Sequence, residues 1–174
     1  VYCGSTFVVN GLTYMPISAT EVQVTGYDES TVFGVVNIPE TVTCEGDETV
    51  YTVTSVVDKL FSQKYNITEV HLPDTITTVG ERAFDQIHGL NYINIPKSLT
   101  TLTGRQAFGY GGWDNLEAGE WLMDTLYVPA SLETWNQCAF SGNKYTTAVL
   151  EDGLHMVGSY GISNNAKLTD VKMA

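Results

Sequence analysis

Glu69, His71, Tyr92, Asn94 and Tyr127 bring together a carboxylate, an imidazole, two phenols and an amide, groups that recognise another molecule by hydrogen bonding and ring contact. Residues 69 and 71, like 92 and 94, stand two apart, so each pair shares one face of a strand. Chemistry beyond recognition finds no support. His71, His88 and His155 are dispersed, with no His-Glu-x-x-His or i,i+4 pair to grip zinc. Gly-x-Ser-x-Gly and Gly-x-x-x-x-Gly-Lys are both missing. The acids at Asp28-Glu29, Glu45-Asp47-Glu48 and Asp114-Glu117-Glu120 match neither an EF-hand loop nor a Gly-Gly-x-Gly-x-Asp repeat, and read as solvated loop charge. No catalytic residue, metal or cofactor is expected. Carboxylates that hydrolyse sugars need not be neighbours in sequence, so a carbohydrate-active enzyme stays as a remote alternative.

A second ring group, Tyr110, Trp113 and Trp121, lies in the glycine-rich stretch 109–121. On a flexible loop these rings stack on a sugar or a partner's side chain; the other reading folds Trp113 and Leu116 back as a plug. The first group also has a structural reading, since sheet surfaces favour Tyr and Thr for cross-strand packing. Asn66-Ile67-Thr68 fits a glycosylation sequon, which matters only in a eukaryotic product.

The chain has 174 residues, 43% of them hydrophobic, enough for one domain with a real core. With 20 acids against 8 bases the net charge is −12, which argues against nucleic acid and against anionic membrane surfaces. No run of eighteen apolar residues exists to cross a membrane as a helix. Cys3, Cys44 and Cys138 match no zinc spacing; Cys3 and Cys44 either pair or stand as isolated small apolar side chains.

The elements that position these residues come from a repeat. Leu90-Asn91-Tyr92-Ile93-Asn94-Ile95-Pro96 and Ile67-Thr68-Glu69-Val70-His71-Leu72-Pro73 share a Leu-x-x-Leu-x-Leu-Pro pattern, each beside an Ala-Phe pair or its equivalent. Measured at the proline slot, the copies fall at Pro39, Pro73, Pro96, Pro129, Glu151 and Ala174, spaced 34, 23, 33, 22 and 23. A period near 23 means stacked coils of a solenoid. Inward positions are Ile67, Val70 and Leu72 in the strand, then Ile76, Val79 and Phe84 on the return, with Gly80 permitting a tight bend. Val79, Gly80, Ala83, Phe84, Leu90, Ile93 and Ile95 recur 78 residues later as Val157, Gly158, Gly161, Ile162, Leu168, Val171 and Met173. Phe61, Phe84, Phe108 and Phe140 should form one internal ladder. The outward positions form two columns: Val35, Glu69, Tyr92, Thr125, Thr147, Asp170, and Asn37, His71, Asn94, Tyr127, Val149, Lys172. Residues 1–33, with Asn10-Gly11 between two short strands, read as an N-terminal capping hairpin, and 34–174 as a solenoid of about five coils. The excess after Pro39 reads as a protruding hairpin, and the pattern runs to the last residue, which leaves open whether more repeats follow Ala174.

Leu-x-x-Ile-x-Ile-Pro with Thr-x-Val-Gly-x-x-Ala-Phe at this period resembles the BspA-like leucine-rich repeats, and Phe7-Val8-Val9-Asn10-Gly11-Leu12-Thr13-Tyr14 resembles that family's opening. The resemblance spans residues 7–174. It implies a leucine-rich repeat solenoid, mainly β with little helix, a right-handed coil with one parallel sheet on its concave face. It also implies a secreted or cell-surface role in adhesion or protein binding, with no catalytic residues; the partner expected for this chain is an extracellular protein or glycan. Glu151 in a proline slot, Ile162 for Phe and the 109–121 insertion depart from the pattern. The leading expectation is a non-enzymatic binding module using Glu69, His71, Tyr92, Asn94 and Tyr127. The alternative is a structural spacer whose C-terminal coil stacks on further repeats or another copy.

Overall fold

A computed structural model describes residues 3–46, 48–111 and 121–174. Thirteen strands and no helix are present among them. The chain opens with β1 (Phe7–Val9) and β2 (Leu12–Pro16), an antiparallel hairpin turned by Asn10 and Gly11 at φ 49° and 81°. β3 (Glu21–Tyr27) runs antiparallel to β2. β4 (Gly34–Asn37) then starts the solenoid, followed by β5 (Thr41–Thr43), β6 (Val50–Val56), β7 (Ile67–His71), β8 (Thr78–Val79), β9 (Tyr92–Ile93), β10 (Thr101–Leu102), β11 (Thr125–Val128), β12 (Thr147–Leu150) and β13 (Asp170–Met173).

Each coil has three sides. The first carries the parallel strands of the repeat motif, in two ladders, β4-β7-β9 and β11-β12-β13. The expected single sheet is thus interrupted between β9 and β11, where the coil is ten residues longer than its neighbours. On the second side, expected only as the returning half of each coil, β3, β6, β8 and β10 form another parallel ladder. This ladder is how the N-terminal strands attach: β3 pairs with β6.

The third side is built from turns with two left-handed residues per coil, four apart: Lys59 and Gln63, Arg82 and Gln86, Gln106 and Tyr110, Cys138 and Gly142, Tyr160 and Asn164. A left-handed non-glycine costs about 1 kcal/mol. Offsetting that cost, the turns aim N–H groups at the next coil. Phe61, Phe84, Phe108 and Phe140 donate to the carbonyls of Ala83, Ala107, Ala139 and Gly161 at 2.8, 2.9, 2.8 and 2.7 Å. The repeat at an offset of 78 reappears here, since Tyr160 and Asn164 stand where Arg82 and Gln86 stand.

Inside, the phenylalanine ladder is continuous. Ring centroids lie 6.0 Å apart from Phe61 to Phe84, 5.3 Å from Phe84 to Phe108 and 5.5 Å from Phe108 to Phe140. Tyr27 extends it over Phe61 and Trp135 packs edge-on to Phe140. Gly80 has no positive φ, so its role differs from the expected bend. A Cβ there would lie 2.5 Å from the backbone nitrogen of Asp58, and glycine lets two coils touch. The hairpin of β5 and β6 forms but does not protrude: Tyr51 and Val53 are fully buried, and Tyr51 meets Phe7. Cys3 and Cys44 form a disulfide, Cα atoms 6.5 Å apart, which ties the chain start to this hairpin.

Candidate binding site on the strand face

Alternation along the strands puts Val36, Ile67, Val70, Ile93, Leu126 and Ala148 in the core and leaves the intervening side chains outside. The outward columns follow the expected register within each ladder. Val35 pairs with Glu69 and Glu69 with Tyr92; Thr125 pairs with Thr147 and Thr147 with Asp170. Asn37 stands beside His71, and Tyr127 beside Val149 beside Lys172.

Three of the five expected site residues form one cluster. His71 Nε2 lies 2.9 Å from Glu69 Oε2, and the His71 ring stacks on Tyr92 with centroids 4.7 Å apart and planes at 26°. The carboxylate fixes the imidazole and the imidazole fixes the phenol ring, so each of the three groups is held by its neighbour. They remain accessible, with side-chain exposures of 40% for His71 and 28% for Glu69.

Asn94 turns elsewhere. Its Oδ1 accepts from the Leu72 amide at 2.7 Å and its Nδ2 donates to the Leu72 carbonyl at 2.8 Å. That two-way clasp closes the end of β7, where the ladder runs out beside Pro73. Tyr127 is 64% exposed but stands across the break in the sheet. Leu122 donates to the Asn91 carbonyl, which places the segment entering β11 along β9. The result is a groove of about 460 Å³ with Tyr92 and Asn94 on one wall, Tyr127 on the other, and Leu122, Met123 and Asp124 between them. The 33-residue spacing was the available signal for this break.

The second ring group divides. Tyr110 lies over Gly142 and its hydroxyl accepts from Asn164 at 3.4 Å, on the turn side of the coil. Trp121 packs edge-on to Tyr145, 5.7 Å between centroids, against the core. Trp113 and Leu116 lie outside the described residues. A further ring pair was not expected from the sequence: the exposed Tyr65 stacks on the half-buried His88 with centroids 4.0 Å apart and planes at 2°. Only their 23-residue spacing marks them. Among the described residues no group of three His, Cys, Asp or Glu gathers to hold a metal, and no helix is long and apolar enough to cross a membrane.

The geometry is that of known repeat proteins. The profile of the BspA type leucine rich repeat region matches residues 54–174 in six copies. A leucine-rich repeat protein from Bacteroides capillosus is 24% identical in sequence, with a TM-score of 0.64 over 98% of this chain and 99% of its own. A leucine rich cell surface protein from Faecalibacterium prausnitzii superposes with a TM-score of 0.67 at 20% identity, over 97% of this chain and 42% of its own. The leucine rich repeat protein of T. pallidum gives 0.59 at 17% identity, over 96% and 85%. No curated protein shows significant similarity. These likenesses establish the fold, and the six repeat copies covering most of the chain establish that it belongs to the BspA-type leucine-rich repeat proteins.

Proposed function

We propose that the chain is a non-enzymatic binding module of a secreted or cell-surface protein, recognising an extracellular protein or glycan through its strand face. The observation that carries this reading is the Glu69–His71–Tyr92 cluster. Hydrogen bonding and stacking hold its groups in place on a rigid ladder, so binding freezes little further freedom. The Cys3–Cys44 disulfide supports an oxidising compartment outside the cytosol. The F. prausnitzii relative, a leucine rich cell surface protein, points the same way. Probing arrays of matrix proteins and glycans with the soluble chain identifies the partner. Glu69→Ala combined with Tyr92→Ala is then expected to abolish that binding while leaving the melting temperature within about 2 °C, since both side chains are outside the core. Undiminished affinity in the double variant would refute the assignment.

A second reading, a spacer that stacks on other coils, is favoured by Val171 and Met173, which are 55% and 63% exposed on β13. Light scattering separates the two: a monodisperse monomer at high concentration counts against self-stacking.

A further inference from the structure

We infer that the outer edge of β4 is a docking site for an extended peptide segment of a partner protein, added as one more strand to the β4-β7-β9 ladder. β4 pairs with β7 alone. The amides of Gly34 and Ile38 donate to the carbonyls of Asn66 and His71 at 2.7 and 3.0 Å. Backbone groups alternate along a strand, so those of Val36 also face β7, while those of Val35 and Asn37 point to the other edge. The N-terminal strands leave that edge open, because β1, β2 and β3 belong to the second sheet and reach the solenoid through β6.

Beside the edge runs a groove of about 200 Å³ with a mixed lining, apolar at Val9, Val32 and Phe33 and polar at Asn10, Thr31 and Asn37. None of its lining residues is charged. Phe33 and Val35 are 58% and 54% exposed next to it. Gly34–Asn37 carries no lysine, proline or charge to blunt the edge, and the register shift between Gly34 and Val35 puts its extra residue, Thr68, on β7; at four residues the strand limits an added ladder to the groups of Val35 and Asn37. Unpaired donors and acceptors at strand spacing specify an extended backbone as the occupant. An uncharged groove offering methyl groups beside hydroxyl and amide groups specifies small uncharged residues, such as valine and threonine, on the side facing it. A glycan offers no such row of amides. The inference goes beyond the strand-face reading, because it needs none of Glu69, His71 or Tyr92.

The probe is a fluorescein-labelled octapeptide of alternating threonine and valine, with two N-methylated versions, one at the threonine and one at the valine amides. Fluorescence anisotropy should show binding of the parent peptide, weakened about tenfold or more in one N-methylated version and in Val35→Pro. Proline at 35 removes only an outward amide, and should it prevent folding, Asn37→Lys and the N-methylated peptides decide on the unaltered fold. In hydrogen exchange the Val35 and Asn37 amides should be fast in the free protein and slowed by the peptide, with Gly34 and Ile38 protected throughout. The Glu69→Ala, Tyr92→Ala variant should bind the peptide normally, so failure of the face reading and failure of the edge are told apart. No slowing at Val35 and Asn37 under millimolar peptide, or equal binding by Val35→Pro, overturns the proposal. So does a concentration-dependent dimer that Val35→Pro abolishes, since a second copy would then be the occupant.

Discussion

Asp85 is 1% exposed, and its Oδ1 has no hydrogen-bond partner. It follows Phe84 in the turn, a place held by Ser62, Gly109, Ser141 and Ser163 in the other coils. Arg82 Nε is 3.9 Å from its other oxygen, too far for a strong bond. Burial pushes the carboxyl from its ordinary 3.8 up to about 6, against partial relief from Arg82 and Arg105. The fold therefore holds this proton more tightly than the unfolded chain does. The resulting stabilisation is complete below pH 3.8 and is lost as pH rises through 6. Asp85→Ser should raise stability at pH 7.5 by about 2 kcal/mol, with the gain gone near pH 4, as read from melting temperatures at the two pH values. Equal gains at both would exclude the buried carboxylate as the cause. At this scale the sequence was informative where alternation rules: Glu69 and His71 had to share a face. It was silent on Asp85, because an acid in a turn reads as solvated. It was silent too on Asn94, whose clasp on Leu72 depends on a neighbouring coil 22 residues away.

At the scale of elements, stacking determines what each strand and turn is worth. The Phe84 ring contacts Phe61 on one side and Phe108 on the other, so truncation opens a hole between coils. Phe84→Ala should cost about 3–5 kcal/mol in chemical denaturation; a cost below about 1 would mean that the ladder closes up around the gap. Gly80→Ala tests a different contact. The new methyl would meet the backbone of Asp58, which cannot swing aside as a side chain can. A loss of about 1–3 kcal/mol is expected, whereas a helix-like gain from removing glycine flexibility would contradict the close approach. The phenylalanine ladder was readable from Ala-Phe spacing alone. The second parallel ladder was not, since Thr78–Val79 and Thr101–Leu102 are too short to show an alternating pattern. The left-handed turns were hidden as well, because Lys59, Arg82 and Gln106 are not residues that advertise positive φ.

For the whole molecule, coils that touch only their neighbours unfold from the ends unless the ends are fastened. The Cys3–Cys44 disulfide closes a 41-residue separation at the N-terminal end, worth about 4 kcal/mol on loop entropy. Cys44→Ser should release β1 and β5 first: hydrogen exchange would quicken there while β8 and β10 keep their protection. Uniform quickening along the chain would show instead that the coils unfold as one unit. The overall architecture was legible from period and spacing, and the break between β9 and β11 from one long interval. Which edge stayed open was not legible, because it depends on β3 choosing β6 as its partner. The turn side has one more consequence. At each of four junctions three amides point forward, from Lys59, Phe61 and Gln63 to Glu81, Ala83 and Asp85, and so on to Cys138, Phe140 and Gly142. Peptide moments of about 3.5 D then add along the coil axis instead of cancelling. On the other sides Thr77, Gly80, Asn91, Thr100, Glu151 and Thr169 donate back to the preceding coil, so the polarity belongs to the turn side alone, positive toward β13 and opposed across the coil.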